Sequence, residues 1–190
     1  MRNNQRRARS RAQKPTPKLT YEVPTEFVDL PSKGKFYTQD HPLHDAETIE
    51  IKFMTAKDED ILSSTSLIEQ GVAIEKFLSN IIVDDIDPNT LLVGDQSAIM
   101  IAARSSAYGT YYETVMTCAN CETKTDFVFN LEEKQVVGRC FDSQYMEDNN
   151  VGISLDGLIT ITLPVSKFNI SLRMLTGTEQ SDFSSDLVNN

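Results

Sequence analysis

The sequence predicts an α+β chain, a single domain with central helices flanked by antiparallel strands and hairpins. Three observations lead there. In the middle, Ile74, Phe77, Leu78, Ile81 and Ile82 recur at helical spacing and give one apolar stripe. Towards both ends, apolar and polar residues alternate with period 2, the signature of a half-buried strand. A strand-turn-helix pattern also occurs twice: residues 49–62 read IEIKFMTAKDEDIL and residues 170–183 read ISLRMLTGTEQSDF. In each, Thr55 or Thr176 is followed three residues later by Asp58 or Glu179. Such a Thr offers its hydroxyl to an orphan amide, and the carboxylate favours the positive helix end.

Along the chain, residues 1–18 form a basic arm. It holds seven basic side chains and no acidic one, and lacks a large apolar residue after Met1, so it is expected to be disordered. Arg6, Arg7, Arg9 and Arg11 within it are candidate anchors for an acidic partner. The arm reads equally as a solubilising tail on an acidic body. The whole chain of 190 residues carries −10; residues 19–190 hold 11 basic and 28 acidic side chains, a net of −17.

Residues 19–184 make up the domain. Its first part, 19–47, is an extended ribbon, because Val23-Pro24 and Leu30-Pro31 disfavour helix before each proline and Ser32 to Lys35 is a turn. Phe27, Leu30, Phe36 and Tyr37 are its candidate contact residues, laid over a core or over a partner. The mainly helical part, 48–109, opens with the first echo strand to Met54 and a short helix to about Leu62. A second helix starts at Ser66, with Glu69 completing a capping box, and runs to Ile82 before Asp84, Asp85 and Asp87 end it. Asp87-Pro88 opens a short helical turn. A further helix spans about Gln96 to Ala107, with Ile99, Ala102, Ala103 and Ser106 on a slim face, and Gly109 stops it.

The mainly strand part, 110–184, begins with a hairpin, Tyr111 to Cys118 and Thr123 to Leu131 about the turn Ala119-Asn120. Phe127, Phe129 and Leu131 share one face. Residues 135–150 are weakly patterned. Leu158 to Leu163 alternates again, and Pro164-Val165-Ser166 turns the chain into the second echo strand. The polar end, residues 185–190 with the SDFSSDLVNN run that leads to it, is expected to fray.

The sharpest constellation that points to chemistry is Cys118-Ala-Asn-Cys121 at the hairpin tip, with Cys140 as a third thiol and His41 or His44 as a further ligand. A zinc knuckle aims such a pair at one metal but needs about four ligands. A redox pair normally opens a helix, whereas this pair lies between strands. Small apolar cysteines at a tight turn are the third reading, and no cofactor is assigned firmly beyond a candidate structural zinc. The acidic clusters at 58–60 and 84–87 lack both a nucleophile and calcium-loop spacing. There is no Gly-rich phosphate loop and no Trp, and the strand pattern implies buried aromatics, so nucleic acid is not the expected partner. These residues give no basis for an enzyme. No apolar run reaches the roughly 18 residues of a membrane span, no hydrophobic region follows the basic start, and three cysteines fit a reducing cytosol.

The stretch PTEFVDLPSKGKFYTQDHPLHDAETIEIKFMTAKDEDIL and the stretch DPNTLLVGDQSAIMIAARSSAYGTYYETVMTCANCETKTDFVFNL together resemble the baseplate hub and hub-assembly proteins of T-even-like contractile-tailed bacteriophages. The likeness covers about residues 23–131, and LPVSKFNISLRMLTG more loosely. It implies a non-enzymatic tail protein made in the host cytoplasm, with a place in the virion baseplate or a role as an assembly factor. Its partners would be other hub proteins, with a homo-oligomer also compatible. The alternative reading is a zinc-knuckle adaptor that binds nucleic acid through the basic arm.

Overall fold

The computed structural model describes residues 23–132 and 143–189, the side chains of 143–145 and 184–189 excepted. The architecture is a single-domain α+β arrangement with small antiparallel sheets. Strands β1 (Thr25–Asp29) and β2 (Thr48–Lys52) pair antiparallel, with Val28 opposite Ile49. Helices α1 (Ala56–Ser63), α2 (Thr65–Glu69) and α3 (Ala73–Ile81) follow, then a 3-10 turn (Pro88–Thr90) and the long helix α4 (Val93–Tyr108). Strands β3 (Tyr111–Thr117) and β4 (Lys124–Asn130) form a hairpin. Helix α5 (Ser143–Asp148) leads into the sheet of β5 (Val151–Ile153), β6 (Ile159–Thr162) and β7 (Asn169–Leu172), in that order, and α6 (Gly177–Asn189) closes the chain.

The core lies among the β1–β2 pair, α3 and α4. Ile49 and Ile51 from β2 meet Phe77, Leu78 and Ile81 from α3, and Ile99 and Ala103 from α4. Period-2 alternation puts both β2 isoleucines on one face, and helical spacing puts the α3 residues on one stripe. The slim face expected of α4 is real at Ile99 and Ala103, whereas Ser106 is exposed and donates to Glu26 at the edge of β1.

The helix expected to run from Ser66 to Ile82 is divided. Gly71, at φ 72°, ends α2: its N–H bonds to the Ile68 carbonyl and Val72 N–H reaches back to Leu67, the paired bonds of a Schellman stop. The break reorients the stripe, so Ala73 is buried and Ile74 is exposed. At the far end, α6 continues to Asn189, so the polar terminal run expected to fray is helical in the described residues. Strand β5 and helix α5 carry no clear periodic signal, because each is too short to show one.

Both echo units fold as strand, cap and helix. Asp58 accepts from Thr55 N–H (2.8 Å) and Thr55 hydroxyl (2.6 Å), and also from the Asn80 amide. Glu179 likewise accepts from Thr176 N–H at 3.1 Å, and Glu179 N–H returns a bond to the Thr176 hydroxyl at 3.4 Å. The units differ in what covers them: Ile49 and Ile51 are in the core, whereas their counterparts Ile170 and Leu172 are exposed.

Candidate partner-binding surface

The ribbon is built as an internal strap. Between Leu30 and Ala46 it closes on itself through Lys33 N–H to Leu30 O (2.9 Å) and Asp45 N–H to Gly34 O (3.1 Å). Asp95, in the first turn of α4 and almost wholly buried, holds it from below. Its carboxylate accepts from Ser32 N–H (3.1 Å), the Ser32 hydroxyl (2.6 Å) and the Tyr37 hydroxyl (2.7 Å), and Tyr37 oxygen accepts in turn from Leu92 N–H (3.1 Å). Burial first, and then the Asp95 charge, push the Tyr37 phenol well above its ordinary pKa, against the Leu92 bond. A buried carboxylate with a full set of donors needs no cation beside it.

Of the ribbon residues expected to face a partner, Leu30, Phe36 and Tyr37 are buried in the chain's own core. Alternation along β1 explains the difference at Phe27: Val28 points inward, so Phe27 points out and is 71% exposed. Arg6, Arg7, Arg9 and Arg11 lie outside the described residues, as does Cys140. His41 stacks on Tyr37 at 4.3 Å, accepts from Leu43 N–H through Nδ1 and meets the Thr90 hydroxyl through Nε2. Burial lowers its pKa and favours the neutral ring. His44 Nδ1 bonds to the Tyr37 carbonyl at 2.9 Å. Both rings are therefore engaged within the ribbon. Among the described residues no group of three His, Cys, Asp or Glu side chains is placed to hold a metal.

A run of uncovered apolar side chains lies along the β3–β4 arm. Cross-strand register places Tyr112, Met116, Phe127 and Phe129 on one face, with Tyr112 opposite Phe129. Phe127 and Phe129 stand in contact, ring centroids 4.9 Å apart. The other face carries Tyr111, Val115 and Val128 among Glu113, Asp126 and Lys124. All of these apolar residues are exposed. The sequence predicted the apolar face of this hairpin and its aromatics as buried. Alternation identifies a face without saying what it meets, and here the arm extends past the core.

The base of the arm is fixed where α4 ends. Gly109, at φ 86°, caps the helix, and Leu131 N–H bonds to the Thr110 carbonyl at 2.8 Å. Arg104 donates to the Gly109 carbonyl at 3.2 Å, and its guanidinium lies 4.8 Å from the Tyr112 ring and 5.6 Å from the Tyr108 ring. Cation–π contact thus ties the arm's first strand to the helix. Beside this joint an apolar groove of about 510 Å³ runs between α1 and α4, lined by Met54, Leu62, Phe77, Met100, Tyr112 and Leu131. The groove and the aromatic face of the arm are continuous through Tyr112.

At the tip, Cys118 N–H bonds to Thr123 O at 3.0 Å, and Glu122 N–H bonds to Cys118 O at 2.9 Å with Glu122 in the left-handed region. Both thiols of the pair are exposed. The Thr123 hydroxyl beside Cys121, 3.2 Å away, and then the Thr123 amide and Cys118 hold that thiol below its ordinary pKa.

Compared with known proteins, residues 23–186 match a family model described as T4 bacteriophage base plate protein. No curated protein and no solved structure matches the chain.

Proposed function

The chain belongs to the T4 bacteriophage base plate protein family, and on that premise we propose that it is a non-enzymatic baseplate hub component or hub-assembly factor whose β3–β4 arm is its main partner contact. The observation that carries the reading is the arm itself: aromatic and aliphatic side chains uncovered on both faces of a hairpin whose first strand meets Arg104 of α4. A contiguous exposed apolar surface of this kind marks a protein contact, and aromatic residues are the side chains most enriched in interface cores. The partners are other baseplate proteins of the same phage, met in the host cytoplasm where tails are assembled.

Co-expression with those baseplate proteins, followed by affinity capture, tests the reading. Capture of a hub protein is expected, and the double variant Phe127→Ser/Phe129→Ser should weaken it at least about tenfold, as removal of interface anchors does, with an unchanged circular dichroism spectrum. A chain that captures none of them, or variants that bind as well as the parent, would refute it. Finding the chain in purified particles separates a hub component from an assembly factor, which would be present only before tails are complete.

A structural zinc at the arm's tip is a second reading, favoured by the exposed Cys118–Cys121 turn and the lowered Cys121 thiol. The pair would need about two more ligands to close a tetrahedral site, for which Cys140 is the remaining thiol of the sequence. Elemental analysis decides it, and less than stoichiometric zinc removes both this site and the zinc-knuckle adaptor built on it.

A further inference from the structure

We propose that Cys118 and Cys121 form a reversible disulfide site, oxidised by a low-molecular-weight disulfide, and that closing this bond fastens the outer end of the β3–β4 arm. No baseplate partner takes part, so the inference goes beyond the reading above and can fail without it.

The backbone at the tip brings the two cysteines together. Glu122 N–H bonds to Cys118 O at 2.9 Å and closes one helical turn, which Glu122 leaves in the left-handed region at φ 55°. Cys118 N–H bonds to Thr123 O at 3.0 Å, so the strands meet immediately behind the pair. A four-residue turn holds its end Cα atoms within about 7 Å, a span that a disulfide bridges without moving the backbone. The Cys118 side chain is near enough to act on the Cys121 sulfur as a hydrogen-bond donor. Both thiols are exposed, and a dissolved disulfide reaches them from outside.

The number of partners favours this bond over a metal. A closed zinc site takes about four donors, and among the described residues no third His, Cys, Asp or Glu joins the pair. A disulfide needs only the two sulfurs that the turn presents.

The arm is also where such a bond has an effect. A two-stranded hairpin alone is marginal in water, and β3 and β4 make up a sheet of two strands. Its inner end is held by the Leu131 N–H bond to Thr110 O at 2.8 Å and by Arg104 against the Tyr112 ring. Its outer end is held by the bonds of the turn and the contact of Cys121 with the Thr123 hydroxyl at 3.2 Å. A covalent link there removes open conformations of the hairpin.

In the reaction, one cysteine of the pair, as thiolate, attacks a sulfur of the small disulfide, whose S–S bond breaks and releases one thiolate. The other cysteine, having lost its proton, attacks the sulfur of the mixed disulfide and expels the second thiolate. The pair gives up two electrons, the small disulfide takes them, and the two thiol protons end on the two released thiols. A reducing cytosol keeps the pair as thiols, and oxidising surroundings close it.

The full chain, incubated with oxidised glutathione in the presence of a chelator and then alkylated and digested, reads the result by mass. The peptide that holds Cys118 and Cys121 is expected to be lighter by two hydrogens and to escape alkylation, and Cys140→Ser should leave that outcome unchanged. In Cys118→Ser/Cys140→Ser, Cys121 should instead keep a glutathione adduct, because its resolving partner is gone. Met116 and Thr125 pair close to the tip, and their amide exchange in the oxidised parent should slow at least about tenfold. Two glutathiones retained on the pair, a bond to Cys140 or to a second chain, or a pair still reduced at excess oxidant overturns the proposal. So does a closed bond that leaves exchange at Met116 and Thr125 unchanged, since it would not then fasten the arm. Failure to capture a baseplate protein would sink the earlier reading and leave each of these readouts in place.

Discussion

Asp58 shows how one side chain joins neighbouring helices. It is 2% exposed, closes the cap of α1 through Thr55 and accepts from Asn80 on α3. Burial alone would raise its pKa, yet the bonds from Thr55 and Asn80 and the charge of Lys57 outweigh it, and the net direction is down from an ordinary value of 3.8. A depressed carboxylate adds stability that is present above its unfolded pKa and is lost as pH falls through the folded one. Unfolding titrations from neutral pH to below 3.8 should therefore show an acid limb that Asp58→Asn flattens. At neutral pH the same variant should cost about 0.5–2 kcal/mol, the range for losing a helix cap. An acid limb equally steep in parent and variant would place the linkage elsewhere. In the sequence Asp95 is only a polar residue just ahead of the helix expected from Gln96. Its three donors come from Ser32 and Tyr37, far away along the chain, and no spacing rule reaches that far.

Among elements, the turns separate two uses of glycine. Gly34 and Gly71 have almost the same φ, 70° and 72°. A Cβ at Gly71 would meet nothing within 4 Å, whereas one at Gly34 would collide with the backbone of Ala46, Leu43 and Asp45. Gly71→Ala should cost about 1–2 kcal/mol for the left-handed conformation alone. Gly34→Ala should cost more than about 3 kcal/mol, since backbone atoms cannot move aside as a flexible side chain can. Comparing the chemical denaturation midpoints of the two variants checks the ranking, and equal losses would mean that the ribbon can relax. The helix division at Gly71 follows the same logic: a helical stripe on both sides of a glycine looks continuous in sequence until the backbone turns there. The caps, by contrast, were plain in both echo units, because Thr and its acidic partner sit three residues apart and need only local geometry.

At the scale of the molecule, apolar residues divide between a core and surfaces that await a partner. Phe77 is almost fully buried, whereas Phe127 is 47% exposed. Phe77→Ala should destabilise by about 3–5 kcal/mol, as large-to-small changes in cores do, and Phe127→Ala by no more than about 0.5 kcal/mol. Thermal unfolding of the two variants tests this, and a large loss at Phe127 would mean that the arm packs on the domain. The sequence by itself determined the α+β class, the helical and strand periods, both capping boxes, the hairpin with its cysteine turn and the baseplate resemblance later matched over residues 23–186. Those properties are written in neighbouring residues, through period, capping and turn chemistry. Only the tertiary structure decided that Leu30, Phe36 and Tyr37 turn inward while the arm's aromatics and the Ile170–Leu172 face remain uncovered. An alternating pattern specifies that a strand has an apolar side. Which other element comes to rest against that side is fixed by long-range packing, and at β3–β4 and β7 the described chain leaves much of that side open.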